Sequence, residues 1–540
     1  MKAVSTWSFD LIHYDEFIYE NGWWGDGRSY GGRTDDARHK VINWQGIQTL
    51  NYNKTFADAH NVEFLVGGEA QKVTRDATNA YGGGYAHPSL HTLNSSANPL
   101  YTGGLRTSYS FLSVFSRANY NYMGKYYLSG SFRRDGSSRF GPDSRWGNFW
   151  SVGLGYTVTE ESFMQDVKFI DFLKFRGSYG TTGNAEIGNF DWAGLYGFAR
   201  SYDGDPGAAP TQIENSVLTW ESQENLNIGA DFAFFNSRLS GSFDWFTRNS
   251  SDLLLDRPVS NTTGFRETIQ NVGDMKNSGL ELSLQGILLQ KQDTELSLNF
   301  NITTLNNEIT YLPEPYIDGT KRREEGRDYY EYYLYQWAGV DPDNGDPLWY
   351  TDETMTTTSN SIGDCDRVYV DKSALPDAYG SFGLFGKKGP FTLTCQFNYQ
   401  FGNYVYDSNA RFYHSDGRYT PRSTSQYAFE NRWTTPGQEA KFPAWNWGGN
   451  HGSNADNSTR YLFKGDYIRL KVLRLGYQLP KSLIGRIGVA SIEAYIHLSN
   501  FWTWVAQDDM YLDPEQNVNG LYETTTFMSK TSSFGFNIGL

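Results

Sequence analysis

Apolar and polar residues alternate with a period of two through much of this chain. Around 147–158, Trp150, Val152, Leu154, Tyr156 and Val158 are separated by Ser151, Gly153, Gly155 and Thr157. Leu226, Ile228, Ala230, Phe232 and Phe234 repeat the pattern, as do Leu239, Gly241, Phe243 and Trp245, and then Leu296, Leu298, Phe300 and Ile302. Successive side chains of a strand point to opposite sides, so each run predicts a strand with one apolar and one polar face. About sixteen such runs begin near residues 1, 40, 60, 105, 123, 146, 171, 218, 238, 277, 294, 379, 391, 466, 490 and 532, each roughly 9–14 residues long and sufficient for a tilted membrane crossing.

Alternation alone is equally compatible with a soluble sandwich. The connections discriminate. Tight turns at 123–125, 236–237 and 387–390 alternate with long polar stretches at about 181–217, 250–276, 306–378, 403–465 and 500–531. That segregation is the pattern of outer-membrane barrels, with turns on the periplasmic side and loops outside. The expected fold is therefore all-β, a transmembrane antiparallel β-barrel, read as a single domain over 1–540. With the last strand running inward and an even strand number, the first runs outward. Tyr120, Tyr122, Tyr126 and Trp245 suit the aromatic girdles at the two membrane interfaces.

Composition agrees. Aromatic residues make up 16% of the 540 residues, with 56 Gly and 38 Tyr, yet only 39% are hydrophobic and the mean hydropathy is -0.58. No window approaches the roughly 20 apolar residues of a spanning helix, so any bilayer must be crossed by strands closed into a barrel. A net charge of -15 without a basic run excludes nucleic acid as a partner. Cys365 and Cys395 lie in unlike contexts without metal-ligand spacing and read as free thiols. The first residues lack the charged, apolar and small-residue regions of a secretory signal, which leaves either a cytosolic protein or a chain that begins partway through a longer exported one, with Met1 then an internal or re-annotated start.

Motifs for chemistry are weak. Gly27, Ser29 and Gly31 match a nucleophile elbow in spacing, but sit in a Gly-rich loop without the required strand and helix. Asp341, Asp343 and Asp346, with Asn344 and Gly345, resemble the opening of a calcium loop whose distal acidic ligand is missing, and read better as a tight turn. The eight histidines form no zinc pattern. No catalytic residue, cofactor or resident metal is expected. The long loops are rich in aromatics: Trp23, Trp24, Trp433, Trp445, Trp447, Tyr329 and Tyr330, with Tyr332, Tyr333 and Trp349. Flat apolar faces beside polar donors suit a glycan or peptide, and equally suit holding long loops folded.

Several stretches carry a family resemblance: SGSFRRDGSSRFG at 129–141, FRGSYGTTGN at 175–184, LTWESQENLNIGADFAFF at 218–235 and NSRLSGSFDWFTRNSSDLLL at 236–255. NVGDMKNSGLELSL at 271–284, GVDPDNGDPLWY at 339–350, KGDYIRLKVLRLGYQLPKSL at 464–483 and LSNFWTW at 498–504 continue in order. The chain resembles the barrel of the SusC/RagA family of TonB-linked outer-membrane proteins. The resemblance implies a barrel of about 22 strands around an amino-terminal plug. It also implies import of oligosaccharides or peptides, a SusD-like surface lipoprotein as partner, and energy from the TonB complex. Against that pattern about 16 strands are expected here, without plug, TonB-contact segment or signal peptide, which predicts a fragment. A passive porin or adhesin on the same scaffold is the competing expectation.

Overall fold

The computed structural model describes residues 1–419, 422–485, 488–507, 509–523 and 526–539. Seventeen strands belong to its large sheet. They are β1 (Lys2–Glu20), β2 (Arg33–Phe56), β3 (His60–Tyr85), β4 (Ser96–Tyr122), β5 (Tyr126–Ser137), β6 (Trp146–Thr157), β7 (Ile170–Asn184), β8 (Glu221–Phe234) and β9 (Leu239–Ser251). Then follow β10 (Asp274–Lys291), β11 (Thr294–Thr304), β12 (Asn306–Tyr311), β13 (Ala378–Lys388), β14 (Phe391–Phe401), β15 (Tyr467–Gln478), β16 (Ser491–Val505) and β17 (Thr531–Gly539). No helix among the described residues is long and apolar enough to cross a membrane. The chain divides into two compact units, one of residues 1–156, 177–226 and 250–272, the other of 157–176, 227–249 and 273–540.

In the first unit β1 to β6 form an up-and-down ladder in which each strand pairs antiparallel with the next. β2, β3 and β4 run to 24, 26 and 27 residues. The sequence places β2 and β4 near 40 and 105, but pairing begins at Arg33 and Ser96. Near 3.3 Å per residue, β4 extends for about 90 Å, three times a hydrocarbon core. Its excess stands in water on both faces, where alternation has no selective reason to persist, so hydrophobic pattern registers only the crossing. At the tight-turn end, Tyr126 stacks on Tyr156 at 5.2 Å and on Tyr122 at 6.4 Å, and His60 Nδ1 lies 2.7 Å from the Tyr120 hydroxyl. Tyr120, Tyr122 and Tyr126 thus engage in cross-strand ring contacts near the turns, whereas Trp245 lies mid-strand in β9.

In the second unit β10, β11, β13, β14, β15, β16 and β17 pair in succession. β12 pairs with the Asp274–Ser278 end of β10 and β11 with its other end, so these two are one stave broken at Leu305. Each of the sixteen alternating runs overlaps one strand, and this break supplies the seventeenth.

Register assigns the faces, since directly opposed residues share a side. One row reads Leu298, Leu384, Cys395, Leu473 and Leu498; the neighbouring row on the opposite face reads Ser297, Phe385, Thr394, Arg474 and His497. The apolar side is exposed: Phe534 at 68% and Leu475 at 52% are typical. Polar residues take the other side and satisfy one another there. Arg474 bonds both Glu493 oxygens at 3.0 and 2.7 Å, and Thr392 and Asn537 donate to the same carboxylate. In the first unit Arg133 joins Glu69, Asp135 and Ser113 in the same way. The sheet is thus inside-out relative to a water-soluble protein, as a bilayer requires. Buried apolar clusters occur instead in and beside the loops, around Phe140, Leu218 and Trp220, and around Tyr332, Leu334, Tyr406 and Tyr461.

Arg176 on β7 ties two strands of the polar face: Nη1 and Nη2 each lie 2.6 Å from an Asp244 oxygen, and Nε is 3.2 Å from Asp231. Arg176→Met leaves these two carboxylates facing without a cation. It is expected to destabilise the fold by about 1–3 kcal/mol, the cost of stranding a partly buried charge. A lowered temperature for loss of the heat-modifiable gel band measures it; an unchanged temperature contradicts the assignment.

Candidate functional site

At the loop ends of β11, β13 and β14 a cavity of about 540 Å³ opens among Leu305, Asn306, Asn307, Asp328, Glu331, Asp371, Lys372, Asp377, Tyr404 and Lys464. Five separated stretches of chain build it. The break at Leu305 frees Asn307, whose Oδ1 accepts from Tyr329 N at 2.8 Å while its Nδ2 donates to Asn277 at 2.7 Å. Arg327 crosses the rim, 3.1 Å from Glu331 and 3.3 Å from Asp371. Burial raises the Asp328 and Glu331 carboxyls above the ordinary range, against the pull of the neighbouring cations. Lys464 is 2.9 Å from Asp466, which also accepts from Gly402 N at 2.7 Å. The lining offers fixed charge of both signs to a polar molecule.

Beneath it Tyr332 is fully buried, its single hydroxyl proton shared between the carbonyls of Tyr404 and Gly520 at 3.1 and 3.0 Å. Lys321 Nζ sits 3.8 Å over the Tyr332 ring, and Arg323 lies 3.9 Å over Tyr329. Tyr329 and Tyr330 pack edge to face at 5.1 Å. These two predicted ligand aromatics are therefore engaged in cation–π and ring contacts that hold the loop beside the cavity.

The other loop aromatics separate into two groups. Trp447 is 89% exposed, and Trp23 and Trp24, packed edge to face at 6.2 Å with His87 against Trp23, are 61% and 64% exposed. Trp433 and Trp445 are half-buried and make contacts within the loops: Trp433 Nε1 donates to Pro342 O at 2.9 Å, and Trp445 packs on Phe429 at 5.6 Å beneath Arg432. Trp349, read from the sequence as an exposed loop aromatic, is fully buried against Trp337 at 4.8 Å, and Tyr332 is likewise core. Aromatic identity is the same in both groups; only packing separates them.

The Asp341–Asp346 stretch is a turn closed by backbone bonds from Gly345 N to Asp341 O and from Asp341 N to Asp346 O, each 2.8 Å. Asp341 and Asn344 spend side-chain oxygens on the N–H groups of Asp343 and Asp346, and Asp346 faces Asn360 and His451. A side chain at Gly345, φ +77°, would meet the Trp433 ring at 2.5 Å, which explains the glycine. Among the described residues no three His, Cys, Asp or Glu side chains are grouped to hold a metal. Ser29 hydroxyl donates to Asp26 O at 3.0 Å inside a short 3-10 turn, not at a strand-to-helix elbow. Cys365 and Cys395 are both free.

An exposed apolar sheet face, a polar opposite face and long structured loops define an outer-membrane β-barrel protein. Residues 3–497 match the family described as TonB dependent receptor-like, beta-barrel, and the chain belongs to that family. It is 28% identical over 510 residues to TonB-dependent receptor P39 of Formosa agariphila, covering 84% of this chain and 48% of that protein. It is 29% identical over 406 residues to TonB-dependent receptor SusC of Bacteroides thetaiotaomicron, covering 70% and 40%. The solved RagAB peptide transporter superposes with a TM-score of 0.88 at 26% identity, over 99% of this chain and 60% of that one. The chain spans about half the length of the curated relatives it matches. These matches place it among TonB-dependent receptors of SusC/RagA type, which are outer-membrane β-barrel proteins of Bacteroidetes.

Proposed function

We propose that residues 1–540 are the wall and outer loops of a nutrient importer that takes up a bulky polar substrate with energy supplied through TonB. In this reading the sheet closes into a barrel in outer-membrane lipid and the loops dock a SusD-like lipoprotein. The observation that carries the reading is the likeness to the RagAB peptide transporter over 99% of this chain, joined to a polar sheet face and a charged cavity at the loop ends. Between oligosaccharide and peptide, the cavity favours peptide: Asp371 and Asp377 beside Lys372 and Lys464 complement charged side chains and chain ends, which a neutral glycan lacks. Trp447, exposed among the outer loops, supplies a stacking surface for either.

Uptake of labelled peptides by cells carrying the full-length gene tests this. Dissipating the proton gradient is expected to abolish uptake, and Trp447→Ala to reduce it about 5-fold, the loss of one exposed ring contact. Gradient-independent uptake would instead establish a passive porin, and uptake of oligosaccharide but not peptide would reverse the substrate assignment.

A further inference from the structure

The apolar face carries a groove whose chemistry points to an occupant. In the second unit the register sets Leu289, Leu296, Gly386, Leu393, Leu475, Ile496 and Phe534 side by side across seven strands. Gly386 interrupts this row of large side chains. A Cβ built there meets only Leu296 Cδ1, at 3.9 Å, so the space of a missing side chain is open. The resulting groove holds about 650 Å³, within the range of ligand sites.

The next row toward the tight turns, on the same face, reads Lys291, Thr294, Lys388, Phe391, Tyr477. Lys291 and Lys388 therefore flank Thr294 from the two strands beside it, roughly 10 Å apart at the usual strand spacing. Both are exposed, and neither has an ion-pair partner among the described residues. Glu295 and Lys387, which also border the groove, oppose each other in the intervening row, by register on the other face. Two cations and a hydroxyl on one rim, beside an apolar trough that spans the strands from Leu289 to Phe534, match one shape: a phosphate head with acyl chains.

We infer that this groove is a specific site for an anionic phospholipid, its phosphate held between Lys291 and Lys388 and its chains lying over Gly386. The site rests on the membrane reading of the apolar face; because tight turns face the periplasm, the lipid comes from the inner leaflet.

The test is phospholipid bound per chain, measured by native mass spectrometry on the full-length protein purified from outer membranes and exchanged into non-ionic detergent. Wild type is expected to retain a discrete single phospholipid. Lys291→Ser/Lys388→Ser is expected to lower that occupancy about 10-fold, as loss of two basic contacts to an anionic head implies. Gly386→Leu, which fills the trough, should lower it similarly, while Lys387→Ser on the opposite face should not. Heat-modifiable gel mobility verifies that each variant is folded, and the groove-filling variant serves where the lysine pair fails that check. Wild type without retained phospholipid, or equal occupancy in all variants, overturns the site. Loss of TonB-dependent uptake would bear only on the import reading and leave this one standing.

Discussion

Arg460→Met is expected to break open the outer loops while leaving the sheet assembled. The Asp416 carboxylate is completely buried, and Arg460 grips it with two bonds, Nη1 at 2.6 Å and Nη2 at 3.0 Å. Ser453 hydroxyl donates a third at 2.6 Å, and Arg460 returns to Ser453 O at 2.7 Å. Trp337, Phe442 and Tyr461 surround the guanidinium at 4.9 to 5.6 Å and exclude water. Removing one member of such a pair costs about 3–5 kcal/mol, chiefly because the other charge remains buried without compensation. Limited trypsinolysis of folded protein should then cut within residues 403–465 while the heat-modifiable sheet survives. Arg460→Met/Asp416→Asn, which removes both charges, should recover much of the protection. Wild-type protease resistance in the single variant would show that the pair does not hold the loop.

Raising the pH should tighten the loop around Lys321. Its ammonium is almost fully buried, with no hydrogen-bond acceptor within reach among the described residues, and burial, then the neighbouring Arg323, lower its pKa to about 7. Asp318 and Asp328 oppose the shift without cancelling it. In the unfolded loop the amine keeps its ordinary pKa of 10.5. Between about 7 and 10.5 the unfolded form therefore binds more protons than the folded one, so stability rises with pH across that window and is lost as pH falls toward 7. The full change is on the order of 3–5 kcal/mol. Tyr316, raised by burial to about 12, and Tyr332, raised further, stay neutral throughout and do not mask it. Hydrogen exchange across residues 316–335, corrected for the intrinsic pH dependence of exchange, measures the opening free energy. Lys321→Met should flatten its slope; an identical slope in that variant would assign the dependence elsewhere.

Both predictions concern residues that sequence reading did not single out. Arg460, Asp416 and Ser453 sit in a long polar stretch with no periodicity, and Lys321 lies in a run of basic residues that looks solvated. The cavity residues Asn307, Asp328, Asp371 and Lys464 are likewise scattered over more than 150 positions, joined only when the loops fold. The aromatic count pointed to the long loops, but it could not divide Trp447, exposed, from Trp349, buried, because a ring serves ligand contact and loop packing equally.

What the sequence determined by itself is the wall. Side chains of a strand alternate whatever the neighbouring strands do, so a membrane-crossing strand writes its two faces into local order, and tight turns such as 387–390 mark where it reverses. Tertiary structure alone decided how far β2 and β4 continue beyond the membrane, where the β11–β12 stave breaks, and which charges the loops bury. It alone placed Lys291, Lys388 and Gly386 on one face around a groove. Each of these depends on register and packing between residues distant in the chain, and such pairings leave no periodic trace along it.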